Sequence, residues 1–275
     1  MDRREFVQGL GAAAASFQPS AFSFQLSARI ARIGVQLYTV RALLEADFEG
    51  TLARIAAIGF KEVEFWHYFG RTPVQVRDVL RRNQLSAPAT HIGIEPLLGD
   101  WAKTLDDAQV MGHRYLVVAS TPPERQRTLD DWRRVGDIFN RAGEQARRAG
   151  LALGYHNHDY EFVRLEDQLP FDVLLESTDP RYVKIEMDLF WVRKGGQDPV
   201  GYFERWPGRF PMVHVKDMTA DGRMVDVGAG AIDWRAIFAH RRLAGTEHYF
   251  VEHDEPADAM ASIAASYRYL NALRF

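Results

Sequence analysis

The chain has 275 residues, 47% of them hydrophobic and 26% charged, with a formal net charge of −3. That is an ordinary globular composition, and it makes no electrostatic case for a nucleic-acid partner. There is no cysteine, which excludes disulfides, thiolate metal sites, a cysteine nucleophile and a lipoprotein anchor.

Residues 2–8 read DRREFVQ and lead into the small, apolar stretch GLGAAAAS. Paired Arg3 and Arg4, then Phe6 and a mildly apolar segment, form a twin-arginine export signal, with Ala21 and Ser23 as a small-x-small cleavage site. The expectation is a signal over 1–23, a mature domain over 24–275, a periplasmic location and no membrane anchor once the signal is removed. The apolar stretch is too short to span a bilayer.

From residue 31 onward, short apolar runs alternate with amphipathic stretches. The runs are 32–38, 61–66, 86–93, 114–120, 151–158, 183–191, 211–217 and 248–255. Helical patterns lie between them, such as FEGTLARIAAIG (48–59) and TLDDWRRVGDIFNRAGEQARRAG (128–150), stopped by Gly59 and Gly150. The candidate strand ends Gln36, Glu64, His91, Ala119, His156, Asp188, His214 and Glu252 are 28, 27, 28, 37, 32, 26 and 38 residues apart. One βα unit takes about thirty residues. Eight such steps predict a single α/β domain, a closed parallel (β/α)8 barrel of the TIM type, rather than an open sheet. The glycines of DVGAGAIDW (226–234) follow no strand directly; they read as a βα loop whose Asp233 caps the next helix.

In such a barrel, function gathers at the C-terminal strand ends. Residues two apart on a strand share a face, so His156 pairs with His158, Glu186 with Asp188, His214 with Lys216, and Glu252 with Asp254. If one shell faces the axis, His156, Asp188, His214 and Glu252 converge as mixed N/O metal ligands. Mn²⁺ suits such a set, with Zn²⁺, Co²⁺, Fe²⁺ or Mg²⁺ as alternatives. A metal there would polarise a substrate carbonyl or hydroxyl and stabilise an enediolate. Asp188 and Glu252 are costly to bury without a metal or an Arg partner. His158 and Glu252 are candidate proton carriers. Lys216 either orients substrate or pairs with Asp217 or Glu252. Glu64, His91, Trp66 and Trp191 are candidate substrate contacts, the aromatics offering faces to sugar C–H groups.

Five motifs carry a resemblance over residues 31–275: GYHNHDYEF (154–162), EMDLFWV (186–192), HVKDM (214–218), VGAGAIDW (227–234) and FVEHDEP (250–256). Together they resemble the xylose-isomerase-like barrel superfamily of sugar isomerases, sugar epimerases, inosose dehydratases and the endonuclease IV group. In its epimerase branch Glu, Asp, His and Glu on strands five to eight hold the metal. The last three map onto Asp188, His214 and Glu252, but the first, usually in Glu-Asn-His, is replaced by His156-Asn157-His158. That departure removes one of the two glutamates of a symmetric proton shuttle. Trp191 stands where many relatives have His, and Ala229 where the loop more often reads Gly-Glu-Gly. The HNH form resembles an exported subgroup of sugar phosphate isomerase/epimerase relatives, and through it enzymes that cleave 3-keto-glycosides by elimination.

The resemblance implies a metal-dependent sugar isomerase or epimerase that removes a proton beside a carbonyl. Its small-molecule carbohydrate substrate would be non-phosphorylated, since phosphosugars are mainly cytoplasmic. A metal-dependent lyase on 3-keto-glycosides is the second reading, and a non-catalytic periplasmic sugar-binding protein a third. An endonuclease is disfavoured by the Trp at 191, by export and by the acidic balance. Homo- or hetero-oligomers are both compatible with the sequence.

Overall fold

A computed structural model describes residues 28–275; the expected signal over 1–23 lies outside them. Eight strands form the barrel: β1 Gly34–Gln36, β2 Glu62–Phe65, β3 Ser86–Ile92, β4 Tyr115–Val118, β5 Ala152–His156, β6 Val183–Asp188, β7 Met212–Val215 and β8 His248–Val251. All neighbours are parallel, and β1 closes the barrel by pairing with β8 through Gly34 and Phe250. The predicted (β/α)8 architecture is therefore the observed one.

Helix ends follow their capping chemistry. Asp47 caps Phe48–Ile58, and Gly59 ends it at φ 124°. Thr128 and Asp131 form a reciprocal capping box on Leu129–Arg148, and Gly150 turns the chain away at φ 78°. Among the described residues no helix is long and apolar enough to cross a membrane.

Alternation sorts each strand into two faces. Val35, Val63, Leu116, Leu153, Ile185, Val213 and Val251 belong to the large core between barrel and helices. Ala89, Tyr115, Val117, Met212 and Phe250 form a separate buried cluster inside the barrel. Each fully buried side chain of this kind stabilises the fold by about 1.5–3 kcal/mol. Phe250 fills the axis so closely that a Cβ at Gly34 would lie 2.6 Å from its ring. This apolar layer closes the barrel beneath the polar strand ends.

The strands are all shorter than the expected runs, and two of them end for a visible local reason. The run 183–191 stops as strand at Asp188, whose side chain accepts from the Trp191 N–H at 3.0 Å and starts the helix Leu189–Lys194. The run 211–217 stops at Val215; Asp217–Met218 instead pairs antiparallel with Met224–Val225 in a hairpin on the rim.

Candidate active site

Register sets which side chains meet. His156 lies opposite Glu186, and Asp188 opposite His214, so β5, β6 and β7 deliver polar groups at two depths. At the deeper level Gln36 Nε2 donates to Glu64 Oε2 at 2.9 Å. His214 Nε2 is 2.7 Å from Glu64 Oε2 and 3.1 Å from Glu186 Oε2. His91 Nε2 is 2.7 Å from Glu186 Oε2, and His156 Nδ1 is 3.2 Å from the same oxygen. Nearer the rim, His214 Nδ1 is 2.8 Å from Glu252 Oε2, and His156 Nε2 is 3.7 Å from Asp188 Oδ2.

Lys216 follows β7 and is buried among three carboxylates. Its Nζ is 3.1 Å from Asp188 Oδ2, 2.8 Å from Glu252 Oε2 and 2.9 Å from Asp254 Oδ1. The expected pairing with Glu252 is present, but the alternative with Asp217 is not. Asp217 points the other way, since side chains alternate. It accepts from the backbone N–H groups of Met218, Gly228, Gly230 and Ile232 and from Trp234 Nε1, at 2.8–3.3 Å. That carboxylate organises the glycine loop, and Asp233 caps the following helix as predicted, accepting from Ala236 N–H at 3.0 Å. Where the sequence calls for a metal or an arginine beside Asp188 and Glu252, the structure places a lysine of the site itself against both.

Burial and charge set the protonation states. Burial lifts Glu64 to about 7, helped by the charge of Glu186. Burial also lifts Asp188, to about 6, against the pull of Lys216 and His214. For Glu252 burial acts upward too, but Lys216 and His214 outweigh it and hold the carboxyl well below its ordinary range. Burial lowers His158 to about 4, assisted by the Lys216 charge, so its imidazole is neutral near pH 7. His214 is opposite in sense: burial disfavours its charge, yet Glu186 and Glu252 raise it well above the usual value.

Whether these residues suit a metal can be judged from unsatisfied atoms. Glu64 Oε1, Glu186 Oε1, Asp188 Oδ2, His156 Nδ1 and His158 Nδ1 are buried without a hydrogen bond. The contacts of His156 Nδ1 with Glu186 and of Asp188 Oδ2 with Lys216 are close but out of line for one. Each such group costs about 1–3 kcal/mol. Two sets of ligand atoms gather within 4.8 Å: Asp188, His214 and Glu252 at the rim, and His91, His156, Glu186 and His214 below. Mixed imidazole and carboxylate donors fit a divalent transition ion.

Above them opens a cavity of about 440 Å³, within the ~300–1,000 Å³ of small-ligand sites. Trp66, His91, Ala119, His158, Lys216 and Glu252 line it, as do Tyr38 and Tyr160. Trp66 meets Tyr38 edge-on at 5.3 Å, and Tyr160 stacks on His158 at 5.5 Å. Two expected substrate contacts lie elsewhere. Glu64 is fully buried below the floor, held by Gln36 and His214. Trp191 packs behind His158, at 5.8 Å, and beneath Lys216, because the helix starting at Asp188 carries it off the strand line.

Residues 52–273 match the sequence profile described as Xylose isomerase-like TIM barrel. The chain belongs to that family. It is 27% identical over 233 residues to an inosose dehydratase of Geobacillus kaustophilus, covering 68% of this chain and 73% of that one. An inosose dehydratase of Lacticaseibacillus casei is 23% identical over 256 residues, covering 79% and 85%. A crystal structure of a sugar phosphate isomerase/epimerase from Parabacteroides distasonis superposes with a TM-score of 0.79 at 26% identity, covering 93% of this chain and 98% of the other.

Within this family barrel the candidates read from sequence do meet, but not as one ligand set. Asp188, His214 and Glu252 stand together, while His156 leans toward Glu186. Glu186 and Tyr160 are the residues that a search for one polar group per strand end passes over. The signal for Glu186 was its spacing of two from Asp188 on an otherwise apolar run.

Proposed function

We propose that this protein is a metal-dependent enzyme that removes the proton beside the carbonyl of a non-phosphorylated keto-sugar or keto-cyclitol and expels a substituent from the neighbouring carbon. The carrying observation is that β5 presents His156 to the site where a two-carboxylate shuttle needs a second acid/base carboxylate. Around the cavity, beside His91 and Asp254, the proton-active groups include the neutral imidazole of His158, the ammonium of Lys216 and the ionised Glu252. Such a set favours one-way elimination over symmetric inversion.

Asp188, His214 and Glu252, with His156 adjacent, would hold the ion. A divalent ion there supplies Lewis acidity toward a carbonyl and its enolate form. His158 accepts the proton from carbon, and the electron pair passes into the carbonyl system. As the carbonyl reforms, the bond to the β-oxygen breaks, and a proton is returned to the leaving group. The aromatic walls of Tyr38, Trp66 and Tyr160 orient the ring and exclude water. Among the described residues Lys216 is the only lysine or arginine lining the cavity, and it is already paired with three carboxylates rather than free to clamp a phosphate.

The inosose dehydratase relatives support elimination, and the isomerase/epimerase structure keeps sugar epimerisation as the second reading. The first proton transfer is common to both. Metal-loaded protein would be incubated in D₂O with an inosose, a 3-keto-glycoside and free ketoses. The first two substrates should give an enone with loss of water or aglycone, and any substrate that is reprotonated instead should carry deuterium beside the carbonyl. Interconverted isomers carrying deuterium, without elimination, would select the epimerase reading; neither elimination nor deuterium uptake in any substrate would sink both. We further propose that residues 1–23 direct folded, metal-loaded protein to the periplasm and that 24–275 is the mature domain of an exported HNH-type subgroup. N-terminal sequencing of the periplasmic fraction tests this, and a retained Met1 would reject it.

A further inference from the structure

The two groups of ligand atoms are not equally supplied with counter-charge. At the rim, Lys216 already contacts Asp188 and Glu252. At the deeper level Glu64 and Glu186 are both fully buried, and among the described residues their only ion-pair partners are histidines. One oxygen of each carboxylate, and Nδ1 of His156, have no hydrogen bond at all. Two carboxylates buried without a lysine or arginine have only imidazolium to balance them, and a bound cation would replace those protons while satisfying the orphaned atoms.

The spacing fits a coordination shell. His91 Nε2, His214 Nε2 and His156 Nδ1 lie 2.7, 3.1 and 3.2 Å from Glu186 Oε2. An ion with bonds of about 2.0–2.2 Å has neighbouring ligands about 3.0–3.5 Å apart; His214 and His156 stand at that spacing, and His91, now at hydrogen-bond distance, would draw back by a few tenths of an ångström. We propose that His91, His156, Glu186 and His214 form a second divalent-cation site, one layer deeper in the barrel than the rim set of Asp188, His214 and Glu252. Three imidazoles and one carboxylate suit Zn²⁺, or Co²⁺ and Fe²⁺, better than the oxygen-preferring Mg²⁺.

His214 couples the two positions. Its Nε2 faces the deep set, and its Nδ1 faces Glu252 at 2.8 Å. Ligation through Nε2 leaves Nδ1–H to donate to Glu252, the carboxylate–histidine–metal arrangement that fixes a ligand's tautomer and raises its basicity. Asp188 and Glu252 then remain as the protein ligands of the rim ion. The deep ion is the tightly held one, and the rim ion exchanges. The inference does not depend on which reaction the rim ion serves, but it moves His156 and His214 from the rim ion to the deep one.

Zn²⁺ titration of metal-stripped full-length protein, with a competing chromophoric chelator and elemental analysis, tests the proposal. The wild type should bind two ions of different affinity. Glu186→Gln should weaken the tight one by more than the ~10–100-fold that an outer-shell change costs, leaving the weaker; Asp188→Asn should do the reverse. His91→Gln, at the edge of the cavity, serves as the deep variant if Glu186→Gln loses its native circular dichroism. Anomalous diffraction at the zinc edge locates the ions. A single ion weakened by Asp188→Asn but held within threefold by Glu186→Gln and His91→Gln overturns the deep site and leaves the rim reading standing. A single ion with the opposite response upholds the deep site and removes the rim one. No bound ion overturns both.

Discussion

Replacing Lys216 by Met should make the fold depend on a metal for charge balance. The ammonium lies 2.8–3.1 Å from Asp188, Glu252 and Asp254. At an effective dielectric of ~20 each contact is a gross attraction of roughly 5–6 kcal/mol. Repulsion among the carboxylates and desolvation cancel most of that sum. What a one-sided deletion of a buried pair leaves is typically ~3–5 kcal/mol of destabilisation. For a domain of this size each kcal/mol moves Tm by about 2–4 °C, so Lys216→Met stripped of metal should melt ~6–20 °C below the wild type. A rim ion competes with Lys216 for the same two carboxylates, and removing the lysine frees them. Saturating Mn²⁺, at ~1,000 times its Kd, adds about 4 kcal/mol to any state that binds it. It should therefore raise the variant's Tm by more than the wild type's. Differential scanning fluorimetry with chelator and with Mn²⁺ gives both numbers. A stripped variant within ~2 °C of the wild type, or equal Mn²⁺-induced shifts in the two proteins, would show that Lys216 does not occupy the cation position argued for it.

Glu161, fully buried, accepts from the Tyr155 hydroxyl at 2.5 Å and from the His158 backbone N–H at 2.9 Å, which fixes the loop carrying His158 and Tyr160; burial lifts its pKa to about 8. The folded state therefore holds a proton that the unfolded chain releases above about 4.5, and stability falls as pH rises from ~4.5 through 8. Glu161→Gln keeps an acceptor for the His158 N–H, its NH₂ donating to the Tyr155 oxygen in place of the accepted bond, and cannot ionise, so in urea unfolding it should gain on the wild type by a few kcal/mol between pH 5 and pH 8; parallel curves would refute the buried acid. Gly34→Ala would set a methyl 2.6 Å from the Phe250 ring, an overpacking cost of about 1–3 kcal/mol. Adding Phe250→Leu should recover part of that loss, and strictly additive urea midpoints would show that the two residues do not meet.

Much of the barrel was legible because strand and helix periods differ and the polar strand ends recur at the length of one βα unit. The rim residues were legible for the same reason: His, Asp and Glu at the ends of apolar runs have few other uses. Depth was not. Alternation placed Glu186 and Asp188 on one face, but only the register between strands shows that Glu186 stands level with His156 and Asp188 with His214. For Lys216 the sequence leaves substrate, Asp217 and Glu252 open as partners; the structure supplies Glu252, and the further contacts with Asp188 and Asp254 depend on neighbouring strands and a rim loop that no spacing within HVKDM encodes. Trp191 was misplaced for a local reason: Asp188 both ends a strand and caps a helix, and the chain turns at that residue.

The apolar layer of Ala89, Tyr115, Val117, Met212 and Phe250 has a kinetic consequence. It makes the barrel a cup rather than a tunnel, so whatever enters past Trp66 and Tyr160 must leave the same way. A reaction that splits its substrate then has an enforced order of departure: the fragment nearer the mouth leaves first, and the piece bearing the carbonyl stays until the exit clears. Turnover on bulky glycosides would be limited by that queue, and the retained ketone would be the product that competes with fresh substrate.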